Sequence, residues 1–365
     1  MNKTIRLAFA LCVVAGMMAT TFRSPVSAAS KKTIAIVLSG PDLYYKYGAD
    51  GAAQAAKALG YNYKIYTNPT VSPTVEASNI RAAVSAHSAA ITGYSVGLTT
   101  EDASLSYAKA HHVPIFFMYG YAHKYLTNKD VVGFEQVNLV AYAKATGAYT
   151  KAHFKGELGI ITGQLGRGDA EGYQQGFLEG LGCSNPGTTT KMATLPEKCG
   201  SVTVDESQSG GWLRPQANAK ASAMLTAWPN MKGMFVENDD MAYGVHTAAV
   251  SAGRSLFFVS DNGAPYGLDA IAGRNGQSEW LAADDTCSPA LEGINSVRLI
   301  NGFLHGKVKP DKLYYSYKVF VTKSNIGKAV GWDIAETHNG KLINAKAFKA
   351  AMKSALPKPV KNPPM

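Results

Sequence analysis

The amino-acid sequence predicts an α/β protein with two doubly wound parallel-sheet lobes. Short apolar, β-branched runs alternate with helix-like runs, which is typical of parallel sheets covered by helices on both faces. The alternation completes one round from Thr33 and a second from Glu157. A chain of 365 residues is longer than the chains that usually fold around a single hydrophobic core, so it suits two domains. Ligands of such sheets bind at the carboxyl ends of the strands, so two facing lobes predict a cleft.

The N-terminus has the three-part layout of a secretory signal peptide. Lys3 and Arg6 form a basic start, an apolar run extends from Leu7 to Thr20, and Val26-Ser27-Ala28 offers small residues for cleavage. The apolar run is shorter than the roughly 20 residues of a membrane helix. We therefore expect residues 1–28 to be removed and the mature chain to lie in the periplasm.

The first round opens on the strand TIAIVLS at residues 33–39, whose β-branched residues favour extended backbone. Each later strand is separated from the next by a run long enough to form a helix. The predicted strands are 33–39, 61–67, 89–93 and 113–119, the predicted helices are 50–59, 74–87 and 100–112, and a short run at 131–137 precedes a helix at 138–152.

The second round repeats this order and carries clear helix boundaries. Asn238-Asp239-Asp240 places a capping side chain and acidic residues at a helix start, and Gly253 closes the same helix. The predicted strands are 157–163, 201–206, 232–237, 255–260, 279–283 and 314–321, and the predicted helices are 169–181, 213–227, 239–252, 265–273 and 289–305.

The net charge gives no reason to expect a nucleic-acid partner. Loss of residues 1–28 removes three basic residues and no acidic one, so the formal charge falls from +10 to +7. The remaining basic residues are scattered except near the C-terminus, and no recognised nucleic-acid-binding motif accompanies them. The C-terminal cluster consists of Lys346, Lys349, Lys353, Lys358 and Lys361.

Two of the four cysteines predict a disulfide. Cys183 and Cys199 bracket a segment rich in Gly, Pro, Thr and Lys, and an oxidising compartment favours a bridge that closes this loop. Cys12 is discarded with the signal peptide, which leaves Cys287 unpaired.

Several strand-to-helix turns, in order and spacing, resemble the type I periplasmic binding proteins of ABC importers, specifically the ribose- and galactose-binding group. The resemblance covers Lys32 to about Lys323. The segment MFVENDDMAYG at Met234 to Gly244 carries most of it. The other matching positions are Tyr44-Tyr45 with Asp50-Gly51-Ala52, Val113-Pro114-Ile115, and Asn262-Gly263 with Pro265 and Gly267.

This resemblance implies a Venus-flytrap fold, in which a three-strand hinge joins the lobes and a small-molecule ligand stabilises the closed form. The crossings are expected near Val137-Asn138, Cys287-Ser288 and Ser316-Tyr317. The N-terminal lobe then comprises residues 29–137 plus 288–316, and the C-terminal lobe 138–287 plus 317–345. A C-terminal helix and tail occupy 346–365. The implied partner is an ABC permease at the inner membrane, and we expect a monomer without a cofactor.

Positions carried over from the resemblance give a candidate ligand site, although each residue also has a structural alternative. Tyr45 could pack under its loop, Trp212 could be a surface anchor, and Asn238 could serve only as a helix cap. Either Asp261 or Asn262 could point inward. The candidate ligand-binding residues are Asp42, Tyr44, Tyr45, Tyr119, Arg167, Glu171, Trp212, Asn238, Asp261 and Asn262.

Two departures from the family's pattern leave the ligand open. The family's Asp-Arg pair after the 113–119 strand is replaced by Tyr119-Gly120, and a second ligand-clamping arginine is replaced by Glu171, with Arg167 nearby. Arginine clamps make fixed, multi-donor hydrogen bonds to sugar hydroxyls. A polyol or unusual sugar follows from the family. An amine-bearing, cationic or flat aromatic solute follows from the aromatic and acidic residues.

No pattern predicts an enzyme. The histidines lack metal-ligand spacing, and neither G-x-S-x-G nor a P-loop occurs. Sensing through a chemoreceptor or histidine kinase remains an alternative to transport, because the same closed form could dock on either. The residues from Gly327 onward exceed the family's usual end, and we expect the helix pattern from Ala345 to Leu356 to pack against a lobe.

Overall fold

The computed structural model of the chain describes residues 31–96, 105–118, 133–309 and 312–360. Residues Lys32–Met365 form one compact unit, separate from Met1–Lys31. The predicted signal peptide and the Tyr119-Gly120 position lie outside the described residues. Among the described residues, no helix has the length and apolarity needed to span a membrane.

Within the described ranges, the first sheet consists of six strands: β1 (Thr33–Val37), β2 (Asn62–Tyr66), β3 (Ala90–Gly93), β4 (Ile115–Met118), β5 (Gly133–Gln136) and β12 (Lys312–Tyr315). Its helices are α1 (Leu43–Ala58), α2 (Pro73–Ser85) and α8 (Pro289–Leu304), with a further helical stretch at 105–110. The sheet is parallel throughout, and its strands run in the order β12-β5-β4-β3-β1-β2. Side chains alternate across β1: Ile34 and Ile36 face α1 and α8, whereas Ala35 and Val37 face α2.

The second sheet, in the part of the chain that the structure describes, consists of seven strands: β6 (Gly156–Thr162), β7 (Glu197–Cys199), β8 (Val202–Ser209), β9 (Met231–Val236), β10 (Phe257–Asn262), β11 (Leu281–Cys287) and β13 (Lys318–Thr322). Its helices are α3 (Leu139–His153), α4 (Gly168–Leu181), α5 (Arg214–Ala227), α6 (Asp239–Ser251) and α7 (Pro265–Ala272). The strands follow the order β13-β11-β10-β9-β6-β8-β7, and the strands at the two edges are antiparallel to their neighbours. Helices α3 and α4 cover one face of the sheet and α5, α6 and α7 the other.

Three crossings within the described residues connect the sheets. The chain leaves the first sheet after Gln136, returns after Cys287, and leaves again after Tyr315. The predicted strand 314–321 is therefore two strands, β12 and β13, which belong to different sheets. This arrangement confirms the predicted fold class of two sheet-bearing lobes and a three-strand hinge.

Close helix packing fixes the returning segment on the first sheet. A Cβ atom on Gly51 would lie 2.1 Å from the carbonyl oxygen of Ala290, and one on Gly293 would lie 2.0 Å from that of Gly48. Only glycine allows α1 and α8 to approach this closely. Helix α8 follows the second sheet in sequence but completes the core of the first.

The C-terminal segment, which begins at Trp332, packs on the helices of the first sheet rather than on the second sheet. The 3₁₀ helix Trp332–Ala335 contributes Ile334 and Ala335 to the core that α1 and α8 share, and Phe348 of α9 (Ala345–Lys353) joins them. The sequence expectation had assigned residues 317–345 to the second lobe; only the part near β13 packs there.

The predicted disulfide is present. Cys183 and Cys199 are joined, and the bridge ties the loop after α4 to the edge strand β7. Cys287 is a free, buried thiol at the end of β11.

Candidate functional site

A cavity of about 340 Å³ lies between the carboxyl ends of the strands of the two sheets. Both sheets supply its lining, as the topology requires for open parallel sheets. The lining residues are Pro41, Asp42, Leu43, Tyr44, Tyr45, Val71, Tyr94, Ser95, Arg167, Asp169, Tyr173, Gly211, Trp212, Leu213, Asn238, Asp240, Asn262 and Tyr266.

The wall on the first sheet is built around the start of α1. Asp42 caps this helix by accepting a 2.6 Å hydrogen bond from the backbone N–H of Tyr44. Burial raises the pKa of Asp42, and the Asp240 carboxylate on the opposite wall raises it further, whereas the cap hydrogen bond opposes both. Asp42 therefore faces the cavity as an acceptor that has lost most of its water.

The tyrosines of this wall form one aromatic surface. The ring centroids of Tyr45 and Tyr94 lie 5.0 Å apart, and those of Tyr44 and Tyr94 lie 5.6 Å apart with edge-to-face geometry. The Tyr44 hydroxyl points into the protein and donates to Glu292 of α8 at 2.8 and 2.9 Å. Tyr44 therefore presents its ring, not its hydroxyl, to a ligand.

Arg167 and Asp169 stand on the opposite wall, at the start of α4. The guanidinium makes two hydrogen bonds to the carboxylate, Nε to Oδ1 at 3.1 Å and Nη2 to Oδ2 at 2.6 Å, and both side chains are buried. Arg167 also meets Tyr45 of the first wall: burial raises the pKa of Tyr45, and the nearby guanidinium partly offsets this. This pair brings a positive and a negative charge into the cavity without a net charge.

Trp212 forms the aromatic face of the second wall. A Cβ atom on Gly163 would lie 2.0 Å from the indole ring, so the ring rests directly on the backbone at the end of β6. Trp212 holds a backbone φ of +67°, which favours glycine, and its Nε1–H has no hydrogen-bond partner among the described residues. The flat face of the indole is thus held at the cavity by an unusual backbone conformation.

The start of α6 contributes an amide and a carboxylate. The Asn238 side chain caps the helix by accepting a 2.8 Å hydrogen bond from Met241 N–H, which leaves its NH₂ group as a donor. Asp240 pairs with Arg214 at 2.6 Å and accepts a 3.4 Å hydrogen bond from the Tyr266 hydroxyl. Burial raises the pKa of Tyr266, and the neighbouring acids Asp239, Asp240 and Asp42 raise it further.

The turn after β10 brings Asn262 into the cavity. Two buried carboxyl groups hold this turn: Asp239 accepts from Ala264 N–H at 2.5 Å, and Asp284 accepts from Gly263 N–H at 3.1 Å. Asn262 itself has a φ of +112°, in the region that favours glycine. The hydrogen bonds to Asp239 and Asp284 therefore hold the backbone that follows Asn262 in place.

A buried charge cluster lies behind the cavity, where the chain crosses between the sheets. Lys318 and Asp285 approach to 3.3 Å, and both side chains are fully buried. The Lys318 ammonium lies 4.8 Å from the ring centroid of the cavity residue Tyr173 and 5.1 Å from that of Tyr142. Burial alone would lower the pKa of Lys318, but Asp285 and Asp261 reverse this and hold it above its usual range.

Seven of the ten residues predicted from sequence line the cavity: Asp42, Tyr44, Tyr45, Arg167, Trp212, Asn238 and Asn262. Glu171 does not, because it lies one helical turn beyond Arg167, which takes the position facing the cavity. Asp261 does not either: side chains alternate along β10, and Asp261 points to Thr146 of α3 at 3.2 Å. Tyr119 lies outside the described residues.

The sequence predictions missed several lining residues, most notably Tyr94, Tyr173, Tyr266, Asp169 and Asp240. Tyr94 directly follows β3, so the rule that ligands bind at the carboxyl ends of strands could have found it. Asp169 and Asp240 lie in first helical turns after strands, where acids are also expected for the helix dipole alone. Tyr173 lies within α4, and no local pattern distinguishes it from a core residue.

The arrangement combines aromatic faces with hydrogen-bonding groups from both walls around one cavity. Acceptors come from Asp42, Asp169 and Asp240, and a donor comes from the Asn238 amide. Such a mixture suits a small polyhydroxylated solute, whose hydroxyl groups both donate and accept while its C–H faces pack on rings.

Comparison with known proteins places this chain among binding proteins. The family model described as "Periplasmic binding protein domain" matches residues 13–286. The D-apiose import binding protein of Actinobacillus succinogenes is 29% identical over 249 residues, which cover 66% of this chain and 74% of the relative. The ribose import binding protein of Salmonella typhimurium is 25% identical over 289 residues, which cover 77% and 88%.

Solved structures share the fold. A periplasmic solute-binding protein from Actinobacillus succinogenes with bound D-allose has a TM-score of 0.71 at 18% identity, covering 81% of this chain and 99% of that one. A galactofuranose-binding protein has a TM-score of 0.70 at 17% identity, covering 81% and 96%. At these identities the likeness concerns the fold alone.

Proposed function

Because the chain belongs to the periplasmic binding protein family, we propose that it captures a sugar or polyol between its two sheet-bearing lobes and delivers it to an ABC import permease. The single observation that carries this proposal is the cavity itself. Its walls come from both sheets, so one solute can contact Asp42 on the first side and Trp212 on the second at the same time. A solute held in this way stabilises the closed form of the protein.

The polar groups favour hydroxyl-rich ligands. A sugar hydroxyl can donate to Asp42 or Asp169 and accept from the Asn238 amide, while the C–H face of the ring packs on Trp212. The Arg167–Asp169 pair offers hydrogen bonds without a net charge, which suits a neutral ligand. The relatives named for apiose and ribose import support this ligand class.

Binding without chemistry is part of the proposal. Each cavity carboxylate already has a structural role: Asp42 caps α1, Asp169 pairs with Arg167, and Asp240 pairs with Arg214. The relatives are solute-binding proteins rather than enzymes. We further propose that the chain is exported to the periplasm and acts there as a monomer.

One observation favours a second ligand class. Arg167 neutralises Asp169 and Arg214 neutralises Asp240, but no salt bridge among the described residues involves Asp42. Within the part of the chain that the structure describes, the cavity thus carries one carboxylate without an ion pair beside aromatic rings, a setting that also suits an amine-bearing solute. Such a solute would enter the same cavity.

A thermal-shift screen of the mature chain tests the proposal, because a ligand that binds only the folded state raises the melting temperature. The panel contains D-ribose, D-allose, D-apiose, glycerol, and a set of amines and nucleobases. Each compound is added at about 100 μM, which is about 100 times a dissociation constant of about 1 μM. At that excess, binding stabilises the folded protein by about 2.7 kcal/mol. A shift by a sugar or polyol supports transport of that class. A shift by amines alone transfers the proposal to the second class, and no shift at all contradicts both.

A further inference from the structure

The C-terminal segment reaches the back of the candidate site through one side chain, Trp332. The family match ends at residue 286, so this segment lies beyond it. Trp332 opens the 3₁₀ helix Trp332–Ala335 and is only 3% exposed. It belongs to the apolar cluster that contains the cavity residue Tyr44 and the hinge residue Cys287.

Trp332 touches both walls of the cavity from behind. Its ring packs edge-to-face on Tyr44 of the first wall, with centroids 5.3 Å apart and planes at 89°. Its Nε1–H donates to two backbone carbonyls, that of Cys287 at 2.9 Å and that of Asn262 at 3.3 Å. Cys287 ends a hinge-forming strand, and Asn262 lines the second wall.

The contact with Asn262 falls on a strained residue. With a φ of +112°, Asn262 persists only if surrounding groups hold it. The carbonyl oxygen of Asn262 accepts one hydrogen bond from the Trp332 indole N–H and another from the Cys287 thiol, the latter at 3.5 Å. Trp332 is itself anchored, because the Ser288 hydroxyl donates to the carbonyl of the preceding Gly331 at 2.9 Å.

We propose that Trp332 is a positioning residue for solute binding, which holds Tyr44 and Asn262 in register across the two lobes. Trp332 does not line the cavity itself, so it acts on the solute only through these two residues. The C-terminal segment thereby becomes part of the binding machinery rather than an appendage. This inference rests on the proposed function for its effect on affinity, but its structural part does not.

The size of the effect follows from the contacts. Loss of one hydrogen bond of this kind shifts the equilibrium between the competent and the disturbed arrangement of the walls roughly three- to tenfold. The apparent affinity falls in proportion to the fraction of molecules that still hold the competent arrangement. Trp332→Phe retains most of the ring and removes the N–H. We therefore expect a roughly three- to tenfold loss of apparent affinity for a bound sugar.

Trp228→Phe provides a matched control. The Trp228 Nε1–H donates to Glu206 at 2.9 Å, a contact wholly within the second lobe, so this variant also loses one indole hydrogen bond, here a part-buried one. Both variants should melt at a lower temperature than the wild type. Only Trp332→Phe should disturb the two walls.

Hydrogen–deuterium exchange read by mass spectrometry tests the proposal without any ligand. The amides of Gly263 and Ala264 are hydrogen-bonded to Asp284 and Asp239, so their exchange reports opening of the turn that carries Asn262. In Trp332→Phe this exchange should accelerate roughly three- to tenfold. In Trp228→Phe it should match the wild type, and Trp332→His, which keeps a ring N–H, should restore part of the protection.

Equal protection of Gly263 and Ala264 in wild type and Trp332→Phe, with a lowered melting temperature, would make Trp332 an ordinary core residue and overturn the proposal. If Trp332→Phe does not fold, the wild type labelled with ¹⁵N-tryptophan decides. Its Trp332 indole N–H, identified by replacing the other tryptophans, must then exchange slowly and shift when D-ribose, D-allose or D-apiose binds. An indole that exchanges fast overturns the proposal. If no member of the thermal-shift panel binds, the proposed function fails while the exchange result still stands.

Discussion

The Arg167 guanidinium and the Asp169 carboxylate form a two-point ion pair in the cavity wall, with N–O distances of 3.1 and 2.6 Å. Both groups have left bulk water, so neither charge is tolerated alone. Asp169→Asn should therefore destabilise the protein by about 3–5 kcal/mol, because the buried guanidinium loses the negative charge of the carboxylate that it contacts at two points. The double variant Arg167→Met, Asp169→Leu should lose less than Asp169→Asn. Urea denaturation of the three proteins measures this, and a double variant that is the least stable would contradict the interpretation.

Gly163→Ala should impair ligand binding although no lining side chain is removed. The added methyl group would overlap the Trp212 indole, so the ring must move into the cavity. We expect at least a tenfold loss of affinity, about 1.4 kcal/mol, for whichever sugar binds the wild type. Gly327→Ala is the control, since its Cβ would meet no atom within 4 Å. Unchanged affinity in Gly163→Ala would show that Trp212 does not contact the solute.

Stability should fall as the pH rises from 5 to 8. Burial raises the pKa of Glu76, Asp261 and Glu292 each to about 8, far above the values of these groups in an unfolded chain. The folded protein thus holds protons that the unfolded chain has released, so raising the pH through this interval lowers the free energy of unfolding. Melting curves at successive pH values check the sign.

Glu292→Gln isolates one of these groups. Glutamine keeps an acceptor for the Tyr44 hydroxyl but cannot ionise, so this variant should melt near the wild type at pH 5 and above it at pH 8. A melting temperature that rises with pH in the wild type, or a variant with the same pH dependence as the wild type, would be inconsistent with these protonation states.

Reduction of the Cys183–Cys199 bridge should destabilise the protein by about 3 kcal/mol, because the bridge closes a loop between cysteines 16 residues apart in sequence. The paired variant Cys183→Ser, Cys199→Ser should behave like the reduced wild type. Thiol titration of the denatured mature chain offers the check: one reactive thiol, Cys287, before reduction and three after it. Three thiols before reduction would rule out the bridge.

The sequence predicted the fold more completely than the site. Strand and helix patterns are local, so the alternating runs and the cap at Asn238 could be identified without tertiary information. The predicted helix 50–59 begins too late, because α1 starts at Leu43 behind the cap Asp42. The predicted strand 314–321 joins two strands of different sheets, and only the family resemblance indicated a crossing near Ser316 and Tyr317.

Site residues were predictable where the family resemblance supplied a matching position and not where they depend on packing. Trp212 and Asn262 were predicted from such positions, but their positive φ values are not indicated by their residue types. The pairing of Arg167 with Asp169 depends on side-chain directions, and the contact of Trp332 with Asn262 joins residues that are remote in sequence. Such relationships appear only once the chain has folded.

The most direct test of the central claim is calorimetric titration of the mature chain with the sugar or polyol that gives the largest thermal shift. Three proteins are compared: the wild type, Asp42→Asn from the first wall and Trp212→Ala from the second. A solute held between the lobes predicts that each single variant weakens binding at least tenfold, about 1.4 kcal/mol. Wild-type affinity in either variant would contradict the claim that one solute contacts both walls.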